Sequence, residues 1–241
     1  MLLNIFKSKP TLKELIPKGF VDIHSHILPA IDDGAKNVEE SAMLISEMKN
    51  LGFGKIIATP HTFANLYENT NDSIKSSFQL LSKLKVDLKI DYASEYLIDS
   101  SLIKRISEKT ILTLKENHIL LEMSYLAPAN NLHEIIHFAL INNYIPVIAH
   151  PERYIFYHKN FKEYEMLKRI GCKFQLNLLS VTGHYGKSVL KISKKLIRKN
   201  LIDFVGSDIH NLNQCKSFEK KVLVEEFNKL ENIINNNSFF D

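Results

Sequence analysis

Short runs dense in Val, Ile, Leu and Phe alternate along the chain with longer stretches whose apolar residues return every three or four positions. The first kind reads as buried strand and the second as amphipathic helix. Seven runs stand out: FVDIH at 20–24, KIIATP at 55–60, IDYASEY at 90–96, HILLEMS at 118–124, IPVIAHP at 145–151, KFQLNLLS at 173–180 and DFVGSD at 203–208. The gaps predict helices. The clearest is capped by Asn37, with Glu40 three residues on, and carries Ala42, Leu44, Ile45 and Met48 to a stop at Gly52. Others are predicted over about 72–85, 98–107, 131–142, 160–170, 186–199 and 214–233. Regular alternation implies an α/β protein with a parallel sheet and helices outside, and seven units without a linker favour one domain closed as a barrel. The body spans 19–234; residues 1–18 read as an N-terminal extension and 235–241 as a flexible C-terminal tail.

Composition narrows the class. At 241 residues, with 45% hydrophobic and 24% charged, the chain can bury a full core unaided. A net charge of +4 from scattered residues gives no footprint for nucleic acid. The basic stretch KISKKLIRKN at 191–200 carries Ile192, Leu196 and Ile197 as a stripe, which reads as a solvated helix face. Two cysteines, Cys172 and Cys215, build neither a disulfide framework nor a thiolate metal site, which fits a cytoplasmic setting. No integral membrane segment is expected, since 18 apolar residues never run together, and the opening MLLNIFKSKP lacks the order of a secretory signal.

In parallel α/β folds chemistry gathers where strands end. Here those ends are heavily biased. Asp22, His24 and His26 close the first run, followed by Asp32 and Asp33; His61 follows the second, Glu95 ends the third and Glu122 the fourth. The fifth offers His150, Glu152 and Arg153, the seventh Asp208 and His210, and the sixth only Asn177 and Ser180. His24 and His26 stand two apart on an extended segment, so both imidazoles point to one side, and Asp208 and His210 repeat the spacing. Five histidines and at least four carboxylates on one rim would be costly to bury together unless divalent cations resolve the repulsion. Without thiolates, this mixed nitrogen and oxygen set suits manganese, iron or zinc.

The segments VDIHSHILPAIDDGAKNVEES, ATPH, ASEY, LLEMS, PVIAHPERY and GSDIHN, in that order over about residues 19–215, resemble the bacterial protein tyrosine phosphatases of the PHP (polymerase and histidinol phosphatase) superfamily, CpsB/CapC type. The combination H-x-H-x-L-P-x-x-D-D-G with a later AHPERY separates this branch from histidinol phosphatases and polymerase PHP domains. The resemblance implies a distorted seven-stranded (β/α) TIM-like barrel, the PHP fold, holding three divalent ions, commonly Mn2+. It implies hydrolysis of phosphotyrosine on the tail of a bacterial tyrosine kinase that regulates capsular or exopolysaccharide synthesis. One ion would sit on His24, His26, Glu95 and Asp208, with Glu95 bridging to a second on Glu122 and His150. A third would sit on Asp33, His61 and His210, with Asp32 the alternative to Asp33. Arg153 matches the arginine that binds phosphate. Some members carry a second arginine after D-x-H; here HNLNQCKS stands there, and Lys216 could replace it as a point charge.

Metal-assisted hydrolysis needs no covalent nucleophile. The C-x5-R loop of cysteine phosphatases is absent, since Leu178 and Lys221 stand where Cys172 and Cys215 would need arginine. His133-Glu134-Ile135-Ile136-His137 matches the zincin motif H-E-x-x-H, but it falls on an outer helix, where a polar face is expected. His118, His158 and His184 read as surface or supporting residues. Of Tyr154, Phe156, Tyr157 and Tyr185, near the rim, one or two could cradle a phosphotyrosine ring. Two rival readings are the same chemistry on a small substrate such as histidinol phosphate, and a metal-binding regulator that docks on a kinase without turnover.

Overall fold

In the computed structural model, which describes residues 9–241 apart from 82, 83, 85 and 86, the seven runs become nine strands. These are β1 (Phe20–Asp22), β2 (Phe53–Ala58), β3 (His61–Thr62), β4 (Lys89–Tyr92), β5 (Glu95–Leu97), β6 (His118–Glu122), β7 (Ile145–Ala149), β8 (Lys173–Asn177) and β9 (Phe204–Gly206). All pair in parallel, in two sheets ordered β1-β2-β4 and β3-β5-β6-β7-β8-β9. The extra strands arise because the second and third runs break at one level. Pro60 has no N–H to continue the ladder. Ser94 turns its hydroxyl onto the Pro60 carbonyl (2.9 Å) and lies 2.6 Å from the Thr62 hydroxyl. Main-chain bonds from Ala93 to Ala58 (2.8 Å) and from Glu95 to Pro60 (3.0 Å) span the break, so His61 and Glu95 meet in register on β3 and β5.

The helices are α1 (Leu12–Leu15), α2 (Val38–Asn50), α3 (Asn71–Leu81), α4 (Ser100–Ser107), α5 (Leu132–Ile141), α6 (Lys162–Arg169), α7 (Lys187–Arg198), α8 (Leu212–Lys216) and α9 (Phe227–Asn236). The α2 cap forms as expected on its first half: Asn37 Oδ1 accepts the Glu40 N–H at 2.8 Å, while Glu40 reaches back to the N–H of Lys36. Part of the helix predicted beyond Leu81 lies outside the described residues. The helix predicted over 214–233 is instead two helices separated by extended chain. Leu12 donates to the Lys220 carbonyl (3.0 Å) and Val222 to that of Pro10 (2.9 Å), pulling the intervening segment into an antiparallel bridge with the N-terminal extension.

Helices cover the sheets through a broad apolar cluster. A separate buried cluster takes Val21, Ile57, Leu120, Val147, Ala149 and Phe204 from strands of both sheets, together with Phe240. Residues 235–241, expected as a flexible tail, therefore pack against the strands. Asn237 is wholly buried: its Nδ2 donates to the Val21 and Val205 carbonyls (2.9 and 2.8 Å), and its Oδ1 accepts the Val205 N–H (3.1 Å). One amide side chain thus clamps β1 to β9. The hydrophilic look of the Asn-rich segment hid this, because the buried partner it satisfies is main chain. Replacing Asn237 by Ala leaves buried backbone groups unpaired and should cost about 3 kcal/mol, read as a lowered denaturant midpoint. An unchanged midpoint would return the segment to the periphery.

Candidate metal centre

The strand ends converge because the chain crosses itself there. Beyond β1 and β9 the backbone continues as a parallel bridge between Ser25 and Ile209, with Asp208 donating to the His24 carbonyl (2.7 Å) and His26 to that of Ile209 (2.9 Å). His24, His26, Asp208 and His210 are thereby packed side by side, and the His26 and His210 rings stack at 3.8 Å. Glu122 ends β6, and His150 follows β7. Two site residues, His150 (φ 32°) and Asp208 (φ 52°), occupy the left-handed region that side chains avoid, a strain of about 1–3 kcal/mol each. Two glycines make room. A Cβ on Gly34 would lie 2.0 Å from the His26 carbonyl oxygen, and one on Gly206 would lie 2.6 Å from the His24 Cβ. The glycines of the D-D-G and V-G-S segments, Gly34 and Gly206, are thus spacers for the histidines.

All nine predicted ligands are brought together. His24 Nε2 lies 3.3 Å from both Glu95 Oε1 and Asp208 Oδ1, and His26 Nε2 lies 3.6 and 3.4 Å from Glu95 Oε2 and Asp208 Oδ1. His150 Nε2 faces Glu95 Oε1 (3.3 Å) and Glu122 Oε1 (3.4 Å). His61 Nε2 and His210 Nε2 both stand 3.4 Å from Asp33 Oδ1. The ligand atoms form four overlapping groups: His26, Asp33, His61 and His210; His24, His150 and Asp208; His24, His26 and Glu95; and His61, Glu95 and Glu122. Glu95 stands at the centre, within reach of four histidines. His61 reaches further than expected, its Nδ1 lying 2.9 Å from Glu95 Oε2.

The two adjacent aspartates separate clearly. Asp32 is turned inward, its Oδ2 2.7 Å from His26 Nδ1 and accepting the His61 N–H, while its Oδ1 takes the Gly34 N–H. It orients His26 so that Nε2 faces the cluster. Asp33 points to His61 and His210 and is half exposed. Gln175 does for His24 what Asp32 does for His26, with Oε1 2.8 Å from His24 Nδ1. Such partners fix the tautomer that presents Nε2 to an ion. Gln175 was missed in the sequence, although a Gln two residues before Asn177 in an otherwise apolar run is the signal for it.

Electrostatics show what the cluster lacks. Glu95 is fully buried among imidazoles 2.9–3.6 Å away, and neither of its oxygens is met by a well-aligned donor; Nδ1 of His61 and of His150 likewise lacks an aligned partner. Burial works against its charge, but His24 and the neighbouring imidazoles hold its carboxyl well below the usual range. Glu122 moves the other way, pushed well up by burial and by Glu95 and Asp208. His24 is raised to about 9 because Glu95 and Asp208 outweigh its burial. Without ions, protons must serve as counter-charge. A buried, acceptor-rich, nitrogen and oxygen set with unpaired atoms aimed inward fits divalent cations of the manganese, iron and zinc kind.

Beside the cluster opens a cavity of about 460 Å3 whose lining includes His61, Glu122, His150, Arg153 and Asp208, with Phe63, Tyr67 and Tyr125 as aromatic walls. Arg153 is the single Lys or Arg among the described lining residues. Its Nη1 holds Asp208 Oδ2 at 2.6 Å, and its guanidinium lies over the rings of Tyr125 (4.8 Å) and Tyr185 (4.4 Å). Asn177 Nδ2 donates to the same Asp208 oxygen at 2.9 Å. Glu152 is not its partner; that carboxylate is buried under the Ser180 hydroxyl (2.6 Å) and the Asn177 N–H (3.0 Å).

Several expectations shift. Lys216 is exposed on α8 and does not line the cavity. Tyr154, Phe156 and Tyr157 pack inward or against one another, Tyr154 spending its hydroxyl on Ala149 and Met123. The aromatics that line the cavity are instead Phe63, Tyr67 and Tyr125, from loops that carry no strand signal. His133, Glu134 and His137 lie exposed on α5, away from the cluster, and His118 packs edge-on against Phe240. Both thiols are buried and pushed up to about 12 by that burial. The double substitution Cys172→Ser, Cys215→Ser should therefore leave any turnover within about twofold of wild type, since neither sulfur can serve as a thiolate. Loss of activity in a folded double variant would reinstate a cysteine mechanism.

Comparison with known proteins agrees with this geometry. YwqE of Bacillus subtilis, a tyrosine-protein phosphatase, is 31% identical over 216 residues, covering 86% of this chain and 85% of the relative. The tyrosine-protein phosphatase CpsB of Streptococcus pneumoniae is 30% identical over 203 residues, covering 80% and 84%. A solved structure from the pair YwqE and CpsB, described as metal-dependent tyrosine phosphatases, matches with a TM-score of 0.77 at 29% identity, over 88% of this chain and 86% of that one. An amidohydrolase of Mycoplasma synoviae, at 14% identity and a TM-score of 0.51, shares the fold alone. Residues 20–230 match the family pattern described as "Capsular polysaccharide synthesis, CpsB/CapC", and the chain belongs to that family.

Proposed function

We propose that the chain is a metal-dependent protein tyrosine phosphatase acting on a tyrosine-phosphorylated bacterial kinase that regulates capsular or exopolysaccharide synthesis. The observation that carries this is a cation-demanding cluster, a phosphate-sized cationic group and an aromatic-walled cavity meeting at one point. The relatives that cover most of the chain are tyrosine phosphatases. The domain doing this work is the 19–234 body, and we read its two sheets as a distorted barrel joined through the Ser25–Ile209 bridge. Among the described residues no helix is long and apolar enough to cross a membrane, consistent with a cytoplasmic enzyme meeting a kinase tail.

Three ions, Mn2+ foremost, would be held by His24, His26, Glu95 and Asp208; by Glu95, Glu122 and His150; and by Asp33, His61 and His210. Bound there, they supply Lewis-acid charge that polarises the phosphoryl group and makes water nucleophilic near neutral pH. The chain supplies the rest. Arg153, held by Asp208 and flanked by two rings, offers a planar cation for phosphoryl oxygens as their charge builds. Phe63, Tyr67 and Tyr125 orient the aryl ring and exclude water. The leaving phenolate, with a pKa of about 10, asks for less protonation than an alkoxide.

Chelation should abolish turnover of a phosphotyrosyl peptide, and Mn2+ should restore it better than Mg2+, because imidazole-rich sites disfavour the latter. Full activity with verified loss of metal would end this mechanism. Glu95→Gln should lower metal content and activity far more than Glu134→Gln on the exposed face of α5, provided both fold; the opposite order would support the zincin reading. Arg153→Ala should lower kcat/KM by about 10² to 10³ with metal content retained, and Arg153→Lys should recover little. Wild-type turnover in the Ala variant, or loss of metal, would take Arg153 out of phosphate binding. Histidinol phosphate serves as the competing substrate; the aromatic walls predict that the phosphotyrosyl peptide is preferred.

A further inference from the structure

A phosphotyrosine whose ring fills the cavity leaves its own backbone at the mouth, and the mouth carries a surface of its own. Nine large apolar side chains stand exposed among the described residues. The two most exposed, Leu126 at 93% and Leu66 at 68%, both line this one cavity. They come from different loops. Leu66 sits near the tip of a tight turn closed by main-chain bonds between Phe63 and Tyr67 (2.9 and 3.0 Å), with Asn65 at φ 65°. Leu126 follows Tyr125 in the loop between β6 and α5, where its N–H donates to Ser124 Oγ at 3.2 Å. Defined turns therefore hold both leucines out.

Single exposed leucines need no explanation, but two on the mouth of one polar site do. Neither contributes to the cluster or to the Arg153 network. We propose that Leu66 and Leu126 form an apolar lip that docks apolar side chains flanking phosphotyrosine in a polypeptide substrate. This rests on the phosphatase reading and adds to it a preference for sequence context. Continuity with the catalytic cavity fixes the occupant: a chain held by its phosphotyrosine must pass over this rim. A cavity of about 460 Å3 lies in the range that accepts one small group, so flanking residues stay outside it.

The test compares wild type with the double variant Leu66→Ser, Leu126→Ser, both loaded with Mn2+, on three substrates. These are p-nitrophenyl phosphate, a phosphotyrosyl peptide with leucines on both sides, and the same peptide with serines there. Wild type should favour the leucine-flanked peptide by about tenfold in kcat/KM, carried by KM, as partial burial of leucine surface implies. The variant should lose that preference, keep its turnover of p-nitrophenyl phosphate within about twofold and melt with wild type. An active wild type indifferent to the flanks, or a variant that keeps the preference, overturns the lip alone. An equal loss on p-nitrophenyl phosphate also overturns it, since the leucines would then serve the aryl ring itself and not the residues that flank it. A wild type inert toward all three overturns both the lip and the phosphatase reading.

Discussion

A carboxylate cut off from solvent and ringed by imidazoles governs this structure. Glu95 lies at the meeting point of four histidines, and Glu122 beside it is repelled by both Glu95 and Asp208. Such a group persists in a folded chain only with cationic company. Around it the protein spends strain and packing freedom. Two residues sit in left-handed backbone, two glycines give up side chains, and Asp32 and Gln175 are committed to turning imidazoles inward. Each makes sense as preparation for ions that neutralise the carboxylates and remain open to a phosphate on one side.

The same geometry gives Arg153 its place. Asp208 faces the histidines with one oxygen and the guanidinium with the other, so the histidine–carboxylate cluster and the group proposed to bind phosphate share a single pivot. Asn177, from the end of β8, donates to that second oxygen and keeps it from swinging. The sixth apolar run, β8, which brings no side chain into the cluster, thus contributes by holding Asp208.

The clustering of the candidate ligands was legible in the sequence because a parallel sheet puts strand ends on one rim and because charged residues at the end of an apolar run have few structural uses. The i, i+2 pairs at His24–His26 and Asp208–His210 were the strongest signal, since extended chain must point both side chains the same way. What stayed hidden depends on distant partners. Asp32 and Asp33 differ only in which way a turn faces them. The aromatic walls come from loops, where no periodicity marks a side chain's direction. Asn237 looked like solvated tail because an asparagine's preference for water and its ability to satisfy buried main chain are the same chemistry. Pro60 gave notice of the break in the second run, but its effect on the third passes through Ser94 in space.

On the proposed function, metal ions take the place of protons as counter-charge to buried Glu95 and its neighbours. Titrating metal-free protein with Mn2+ by calorimetry, in buffers of differing ionisation enthalpy at constant pH, measures this directly. Tight binding with net proton release is expected, appearing as a heat that varies with the buffer, because ligands must shed protons to bind. Binding with a buffer-independent heat, or no binding by a folded chain, would contradict it.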